Sequence, residues 1–593
     1  MASESESNST GFQVMMMADE TRGKQSGTVL GWHDSHCASA VLVDGTGQVL
    51  FAAAEERYSK KKLQKGYPEQ AIADLTEHFP DAVPQSPVCT VDMPLGAKVV
   101  RNLGLVASSF GKGLNTSKSV TSLLGTWGKR LLRGQGSGVV GSVEQANASE
   151  KNIGYQHLVE HHAAHAASAY YCSGFPKAMV VTIDGLGDCL SATVYAGDGS
   201  ELIPKAKYYY NEMPLGANYE VLTGLLGFNP DRHCGKITGL SARGHANPAC
   251  VTALGRFFEE SWKRGRKNWF DRLHDEDEEA VLRELRALRQ SHLGAFSRED
   301  LAWAIQDETE RRTLALIAHH APTDIGHTDI CLAGGVFGNV RVNQKIKGMG
   351  FRNIFVQPAM DDGGLSLGAA LYHLGMERGV MPRRLDHCFL GPAFDEAAME
   401  EAIQRRGLAY EKVDHIHYAI AQLVEQGLVV ARFDGAMEFG PRALGNRSIL
   451  YHTVDPLVNT WLNKRLARTE FMPFAPATLV EKGHRCYLNL QGCEHAAEFM
   501  TMTFDCTTEM KRTSPAVVHV DGTARGQLVD ARVNPGFHEI LSEYHKSTGI
   551  PSLVNTSFNM HEAPIVATPD DAVKSFLDGR LDCLAMGPFL VRA

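Results

Sequence analysis

The sequence predicts an α/β protein built from more than one domain. Apolar runs typical of buried strands are followed by Gly-rich turns and then by helical patterns, which is the order found in α/β folds. At 593 residues the chain is too long for one compact core and fits two to four domains of ~150 residues. A strand-turn-strand segment occurs twice in the first half, and this repetition indicates a duplicated fold.

Composition describes an ordinary globular protein, with 44% hydrophobic and 21% charged residues. The formal charge of -9 disfavours nucleic-acid binding, and no run approaches the ~18 apolar residues of a membrane span. Twelve cysteines without a CxxC pair argue against a disulfide framework and predict a cytoplasmic protein. Residues 1–26 are rich in Ser, Glu, Asn and Gly, and we interpret them as a disordered leader.

The repeated unit is a hairpin with a polar turn. Residues 36–47 (HCASAVLVDGTG) align without gaps with residues 188–199 (DCLSATVYAGDG), and each copy follows an apolar strand. Two such hairpins facing each other across a cleft are how actin, the sugar kinases and the heat-shock ATPases hold a nucleotide. The alternative is a chance similarity between two glycine-rich hairpins.

Glycine-rich segments elsewhere in this half would suit such a cleft. A predicted buried strand runs into Gly334-Gly335 and then into a helix, which offers backbone N–H groups and a positive helix end to phosphates. A second glycine-rich turn, GKITGLSARG, carries Lys236, which either reaches a phosphate or is solvated. The residues predicted to bind nucleotide are Asp184, Gly185, Gly187, Lys236, Gly334, Gly335 and Asn339.

A small-residue run, VEHHAAHAASAYY, predicts a closely packed helix with two histidines on one face. His161 and His165 are four residues apart, so they can hold one divalent metal between them. Asp362, in a Gly-flanked turn, is a sensible third ligand and would leave coordination positions open for catalysis. The alternative is that these are packed or surface histidines.

The sequence changes character near Pro382, where we place a domain boundary between residues 382 and 383. Beyond it, a Gly/Pro loop carries Arg442 and Arg447, and polar loops follow at residues 519–527 and 555–559. Guanidinium groups match phosphate oxygens, while amides and hydroxyls fix orientation, so these loops together favour a phosphate site. The alternative for any one arginine is a surface salt bridge.

The chain resembles the O-carbamoyltransferases that include the nodulation-factor, cephalosporin, aminoglycoside and ansamycin tailoring enzymes. The resemblance runs from about Val29 to the C-terminus. It implies an actin-like, sugar-kinase-like (ASKHA) domain over residues 27–382 and a YrdC-like α/β domain over residues 383–593. The motifs that carry it, in the family's order, are HCASAVLV with EERYSKKK, EHHAAH, GKITGLSARG, LAGGVFGN, DGGLSLGAA, MEFGPRALGNRS, RTEFMPFAP, HVDGTAR and NTSFN.

This resemblance implies a two-step reaction. The C-terminal domain would combine Mg-ATP and carbamoyl phosphate into carbamoyl-adenylate, and the N-terminal domain would pass the carbamoyl group to a hydroxyl of a small molecule. His161, His165 and Asp362 would hold an iron-like divalent metal beside the adenylate. The residues implied to bind the phosphates and the carbamoyl group are Arg442, Arg447, Arg468, His519, Arg525, Asn555 and Ser557.

His36 keeps the position of the family's catalytic histidine, with Asp34 just ahead and Cys37 in place of the usual aspartate. The chemistry supports this role independently of the resemblance. An alcohol is a poor nucleophile at neutral pH, and a histidine with a pKa near ~6.5 can accept its proton as the new bond forms.

The acceptor is expected to be a small-molecule natural product bound in the first half, framed by residues 101–133 and 208–232. By analogy the enzyme would be a homodimer, without nucleic acid or membrane as a partner. The alternative function is a sugar-kinase-like or chaperone-like ATPase or phosphotransferase, which the duplicated hairpin alone would explain. A further alternative is a non-catalytic scaffold.

Overall fold

The computed structural model describes residues 27–92, 157–263, 269–468 and 474–593. The predicted leader and the acceptor-framing segment 101–133 lie outside these residues. The strands are β1 (Val29–His33), β2 (Ser39–Val43), β3 (Val49–Ala54), β4 (Val88–Val91), β5 (His157–Val159), β6 (Lys177–Gly187), β7 (Leu190–Asp198), β8 (Glu201–Tyr209), β9 (Ile330–Ala333), β10 (Ile354–Val356), β11 (Tyr410–Lys412), β12 (Val430–Phe433), β13 (Arg447–His452), β14 (Ala475–Leu479), β15 (Phe504–Asp505), β16 (Thr523–Ala524), β17 (Gln527–Val529), β18 (Ser552–Ser557), β19 (Cys583–Met586) and β20 (Phe589–Arg592).

Helices cover and connect these strands. They are α1 (Glu56–Ser59), α2 (Glu69–His78), α3 (His161–Ser173), α4 (Leu215–Leu225), α5 (Cys234–Ser241), α6 (Pro248–Lys263), α7 (Trp269–Asp275), α8 (Glu278–His292), α9 (Arg298–His320), α10 (Val340–Lys347), α11 (Leu365–Arg378), α12 (Glu396–Arg405), α13 (Ile416–Glu425), α14 (Val458–Arg465), α15 (Gly483–Cys486), α16 (Glu494–Glu498), α17 (Thr508–Thr513), α18 (Pro535–Thr548) and α19 (Pro569–Asp578).

The first half contains two five-stranded sheets with the same topology. Their strand orders are β3-β2-β1-β4-β5 and β8-β7-β6-β9-β10. In both sheets the first three strands pair antiparallel in chain order. The fourth strand pairs parallel with the first, and the fifth pairs parallel with the fourth. This repetition confirms the duplicated, actin-like α/β fold predicted from the two hairpins.

The two repeats meet through the helices α3 and α11, one from each repeat. Every residue of α3 is buried, which confirms the packed helix predicted from its small side chains. A Cβ atom added to Gly368 of α11 would overlap the carbonyl of Ala164 in α3, and one added to Gly375 would overlap the Tyr171 ring. The helices therefore cross at a distance that only glycine permits.

One local prediction is wrong. The segment around Lys236, expected to be a glycine-rich turn, is the helix α5. Glycine disfavours a helix by about 1 kcal/mol relative to alanine. Here Ile237 and Leu240 are buried in a helical cluster, and this tertiary packing outweighs the local preference.

The second half is α/β as predicted and is built on an eight-stranded mixed sheet. Its order is β11-β20-β19-β12-β13-β18-β14-β17. One apolar core runs through both halves, since it includes Phe337 and Val342 together with Met502 and Phe504. The boundary placed between residues 382 and 383 remains a prediction.

Within the described ranges, no helix combines the length and the apolar character that crossing a membrane requires.

Gly368→Ala should destabilise the protein by about 1–3 kcal/mol, because the added methyl group must displace the backbone of α3. Urea unfolding monitored by circular dichroism would measure the change. Gly255→Ala in α6 is the matched control, since a Cβ there meets nothing within 4 Å. The control should be neutral or stabilising by up to about 1 kcal/mol; equal effects at both positions would contradict the tight crossing.

Candidate functional site

Four side chains from different elements converge where the two repeats meet. His161 and His165 lie on the first two turns of α3, which begins directly after the short edge strand β5. Asp184 lies near the end of β6, and Asp362 lies in the 3-10 turn that leads into α11. The close crossing of α3 and α11 is therefore what brings the histidines to Asp362.

The ligand atoms of the four groups lie close to one another. His165 Nε2 lies 2.9 Å and His161 Nε2 lies 3.3 Å from the same oxygen, Oδ2 of Asp184. Asp362 Oδ1 lies 3.6 Å from His165 Nε2 and 3.7 Å from His161 Nε2. One ligand atom from each residue lies within 4.8 Å of all the others.

The two buried carboxylates of this cluster require a positive charge beside them. Burial alone would lower the pKa of His165, but its hydrogen bonds to Asp184 and Asp362 raise that pKa to about 9. Burial would raise the pKa of both carboxyl groups, yet the two histidines hold the pKa of Asp184 well below its usual value and also lower that of Asp362. Buried carboxylates at this spacing require a cation between them, either a proton on imidazole or a metal ion.

The donor set fits a divalent transition metal. Imidazole nitrogens and carboxylate oxygens are ligands of Fe²⁺, Mn²⁺ and Zn²⁺, and four protein donors leave room for further ligands on iron or manganese. Asp184, predicted as a nucleotide-binding residue, thus lies among the candidate metal ligands.

The turn that carries His36 contacts this cluster. Ser35 Oγ donates to Asp362 Oδ2 over 3.2 Å and lies 2.9 Å from His33 Nε2, which is itself 3.9 Å from Asp362 Oδ2. Burial is the main cause that lowers the pKa of His33 to about 4; Asp362 opposes this change, and the neighbouring histidines, His36 included, add to it. His36 is half-buried in the next residues of the turn, where Cys37 takes a left-handed backbone conformation.

Asp34, predicted beside the catalytic histidine, is half-buried in the same turn. Burial raises its pKa, and the charge of Asp92 adds to the effect. Its backbone carbonyl accepts a hydrogen bond from the amide of Gly66 over 2.7 Å. The structure thus fixes the backbone of Asp34 through the loop that follows α1.

His33 was not among the predicted site residues, and its equivalence to Asp184 is visible only in the strand pairing of the structure. Trp32 pairs with Ala40 in the first sheet, and Ile183 pairs with Ala192 in the second. Because Ala40 and Ala192 are equivalent in the aligned hairpins, the residues that follow Trp32 and Ile183, His33 and Asp184, occupy equivalent positions. Extending the gapless alignment back would instead pair His33 with Gly185, because the second hairpin is one residue longer than the first.

Several residues predicted to bind nucleotide surround the same cluster. A Cβ on Gly187 would overlap the imidazole ring of His161, so this glycine makes room for a candidate ligand. Gly334 has a positive φ of 103°, and a Cβ there would overlap the backbone of β6 just before Asp184. A Cβ on Gly335 would lie 3.0 Å from Asp184 Oδ1.

The other predicted nucleotide residues lie against protein groups. A Cβ on Gly185 would make ordinary contact, 3.6 Å, with the ring of Phe270. Lys236 is buried in α5 with its ammonium group 5.8 Å from the Phe228 ring centre. Asn339 caps the helix α10, and its amide donates to Gln306 Oε1 over 2.8 Å.

In the second half, a loop between β12 and β13 reaches towards the cluster. Glu438 Oε1 organises this loop by accepting hydrogen bonds from the amides of Leu444, Asn446 and Arg447. The loop is also bound to the first half, since Arg57 Nη2 donates to the carbonyl of Gly440 over 2.8 Å.

Arg442, on this loop, and Arg525 have charges that face each other. Burial lowers the pKa of Arg525 well below its usual value, and the charge of Arg442 adds to the effect. Burial likewise lowers the pKa of Arg442, which the charge of Asp361 partly offsets. Nε of Arg525 has no hydrogen-bond partner among the described residues. Two neighbouring, partly buried guanidinium groups form a site that suits an anion.

Arg447, predicted to bind phosphate, is instead occupied within the protein. It is fully buried and donates to the carbonyls of Asp434 and Gly435 over 2.7 and 3.1 Å. Its guanidinium also stacks 3.7 Å above the centre of the Phe433 ring. The structure therefore gives Arg447 the role of holding the loop that carries Arg442.

Arg468 is bound to the loop that follows β18. Its Nη2 donates to the carbonyl of Ser557 over 2.6 Å and to Asn559 Oδ1 over 2.8 Å, and its Nη1 donates to Thr556 Oγ1. The hydroxyl of Ser557 also donates to Asn559 Oδ1, over 2.7 Å. Arg468 and Ser557 therefore share one hydrogen-bond network, centred on Asn559.

Asn555 and His519 complete the set of predicted anion ligands. Asn555 donates to Gln527 Oε1 over 2.8 Å, and its own Oδ1 has no partner among the described residues. Burial lowers the pKa of His519 to about 4; Asp521 opposes this change and the nearby Arg525 adds to it. His519 is therefore neutral at pH 7.

Comparisons with known proteins identify the family of this chain. The family models described as Carbamoyltransferase N-terminus and Carbamoyltransferase C-terminus match residues 138–371 and 421–593. Nodulation protein NolNO of Sinorhizobium fredii is 31% identical over 94% of this chain and 79% of its own length. Nodulation protein NolO of Bradyrhizobium diazoefficiens is 34% identical over 73% of this chain and 79% of its own length. The chain belongs to the carbamoyltransferase family.

Membership of this family makes the chain an enzyme, a transferase. The four clustered residues fall within the part matched by the carbamoyltransferase N-terminal model, and the facing arginines within the part matched by the C-terminal one. Among solved structures, component A of the Acidaminococcus fermentans (R)-2-hydroxyglutaryl-CoA dehydratase aligns with 60% of this chain and 99% of its own. At a TM-score of 0.32 and 12% identity, that likeness carries no argument.

Of the two segments predicted to frame the acceptor, only residues 208–232 are described. This segment ends at the contact between the halves, where Arg232 Nη1 lies 3.1 Å from Glu562 Oε2. The adjacent His233 lies 2.8 Å from the other oxygen of Glu562.

Gly187→Ala should weaken metal binding by about 10- to 100-fold, because the new methyl group displaces the ring of His161. Gly185→Ala, two residues away in the same strand, is the matched control and should bind metal like the wild type, since its Cβ meets only the edge of Phe270. Titration of the metal-free protein with Co²⁺ would measure both affinities. Equal affinities for the two variants would remove His161 from the ligand set.

Metal affinity should increase with pH up to about 9. The pKa of His165 in the metal-free protein is about 9, above the usual 6.5, so at pH 7 a metal ion must displace its proton. The affinity for Co²⁺ should therefore rise about tenfold per pH unit between pH 7 and 8.5. A flat profile over that interval would show that metal binding displaces no proton from His165, and would contradict its place in the ligand set with a raised pKa.

Proposed function

We propose that the protein is an O-carbamoyltransferase that acts through carbamoyl-adenylate. In the first step, water hydrolyses carbamoyl phosphate to carbamate and phosphate, and a carbamate oxygen then attacks the α-phosphorus of ATP, which gives carbamoyl-adenylate and releases pyrophosphate. In the second step, the oxygen of a hydroxyl group attacks the carbamoyl carbon, the bond to AMP breaks, and a carbamate ester forms. The acceptor is the hydroxyl of a small-molecule natural product.

The observation that carries this proposal is the position of Arg442. It lies on a loop of the second half that is bound to the first half, and its charge interacts with Arg525 on one side and with Asp361 on the other. Asp361 is the immediate neighbour of the candidate metal ligand Asp362. The anion site formed by the two arginines and the candidate metal cluster thus lie next to each other across the contact between the halves. Two consecutive reactions on one phosphorylated intermediate require such proximity.

The first step needs positive charge at the phosphates. Arg442 and Arg525 offer guanidinium donors to an anion, and buried charge-assisted hydrogen bonds are about twice as strong as neutral ones. His519, neutral at pH 7, can donate one hydrogen bond beside Arg525 without adding charge. Arg447 supports the step indirectly, since it holds the loop.

The second step needs a base for the attacking alcohol. His36 lies in the turn whose Ser35 is hydrogen-bonded to Asp362, so a proton acceptor is present beside the metal cluster. General-base catalysis by a positioned histidine contributes roughly 10²- to 10⁴-fold to the rate. AMP is a good leaving group and needs no protonation.

His161, His165, Asp184 and Asp362 would hold the divalent metal, which we propose is iron-like. When bound, such a metal supplies Lewis-acid stabilisation of the negative charge that develops on the carbamoyl or phosphoryl oxygen.

Exchange of labelled pyrophosphate into ATP tests the proposal without an identified acceptor. The full-length protein should exchange label only when Mg²⁺ and carbamoyl phosphate are both present, and it should release AMP, not ADP. Formation of ADP would identify a kinase or ATPase in place of the adenylate route. Absence of any exchange would reject carbamoyl-adenylate as the intermediate.

Arg525→Gln should lower the exchange rate by about 10- to 100-fold, the value of one charged hydrogen bond to phosphate. Arg532→Gln is the matched control, because that side chain is 88% exposed and pairs only with Asp530 among the described residues. Exposed pairs contribute little, so the control should exchange label at the wild-type rate. Equal losses in both variants would contradict a specific anion site.

A further inference from the structure

A second group of metal-ligating side chains lies at the far end of α11, away from the cluster described above. It consists of His157 on β5 and of His373 and Glu377 on α11. His373 and Glu377 are four residues apart and so share one face of the helix, and this face packs on the sheet edge formed by β4 and β5. Two ligands on a helix and a third on a strand are a common way to build a metal site.

The geometry brings the three side chains to one point. His157 Nδ1 lies 3.5 Å from Glu377 Oε1, and His373 Nδ1 lies 3.1 Å from Glu377 Oε2. The two imidazole rings lie with their centres 4.0 Å apart. One ligand atom from each residue lies within 4.8 Å of the other two.

His373 has no satisfactory partner within the protein. It is 4% exposed, and neither of its ring nitrogens makes a hydrogen bond to any described residue. Its approach to Glu377 is short but lacks the alignment of a hydrogen bond. A buried imidazole without hydrogen bonds is costly, and coordination to a metal removes that cost.

The surroundings permit a cation. Arg378, the nearest basic residue along the helix, directs its guanidinium to the carbonyl of Gly27 over 3.0 Å. Glu377 is 53% exposed, so an ion can enter from solvent and the carboxylate can adjust. Zinc ligands at about 2.0–2.2 Å from the metal are about 3.4 Å apart, so no two of the three atoms need to approach by more than about 1.4 Å.

We propose that His157, His373 and Glu377 bind a second divalent cation of the zinc class, independently of the reaction proposed above. Two imidazoles and one carboxylate suit Zn²⁺, with water in the fourth position. The ion would join β5 to α11. Because β5 leads directly into His161 and α11 begins just after Asp362, this clamp would hold in place the two elements that carry the first cluster.

The test uses the full-length protein without a histidine tag, stripped of metal, reloaded with Zn²⁺ alone and freed of excess ion. Elemental analysis should find about two equivalents of zinc in the wild type and about one in Glu377→Gln and in His373→Gln. The variant His161→Ala/His165→Ala should retain about one equivalent, and adding Glu377→Gln to it should remove the rest.

His327→Gln is the matched control, since His327 is exposed and also lies 2.9 Å from a carboxylate, that of Asp324. It should bind as much zinc as the wild type. Glu377 is largely exposed, so its variant tests the site even if His373→Gln fails to fold. The proposal is overturned if Glu377→Gln keeps the wild-type zinc content, or if His327→Gln loses as much zinc as Glu377→Gln does.

Discussion

The close crossing of α3 and α11 is the constraint on which the candidate active site depends. These helices belong to different repeats, and Gly368 lets α11 approach the backbone of α3 at Ala164. That approach places His161 and His165, on one repeat, within reach of Asp362 on the other. Carboxylates and imidazoles buried this near one another require a positive charge to balance them, so the fold itself prepares a candidate site for a metal ion.

Much of this arrangement follows from local sequence patterns. The gapless alignment of residues 36–47 with residues 188–199 predicts the duplication, because it matches the second strand of one hairpin with the second strand of the other. The four-residue spacing of His161 and His165 predicts a shared helical face. The cluster position of Asp184 could not be read in the same way, because it depends on how β6 and α3 pack together.

The arginines of the second half show where residue type alone is insufficient. Three arginines lie in or beside glycine-rich segments, namely Arg442, Arg447 and Arg525. Residue type alone assigns all three the same chemistry. The structure separates them by their partners: carbonyl groups and an aromatic ring occupy Arg447, whereas Arg442 and Arg525 oppose each other's charge. Such partners come from distant parts of the chain, so no short motif could distinguish an anion ligand from a structural arginine.

The apolar core that passes through both halves limits how this enzyme can be divided or recombined. Phe337 and Val342 on one side share that core with Met502 and Phe504 on the other. A chain severed near the middle would expose these side chains on both fragments, and each fragment would tend to aggregate. Exchange of one half between relatives would therefore have to transfer the matching apolar surface as well.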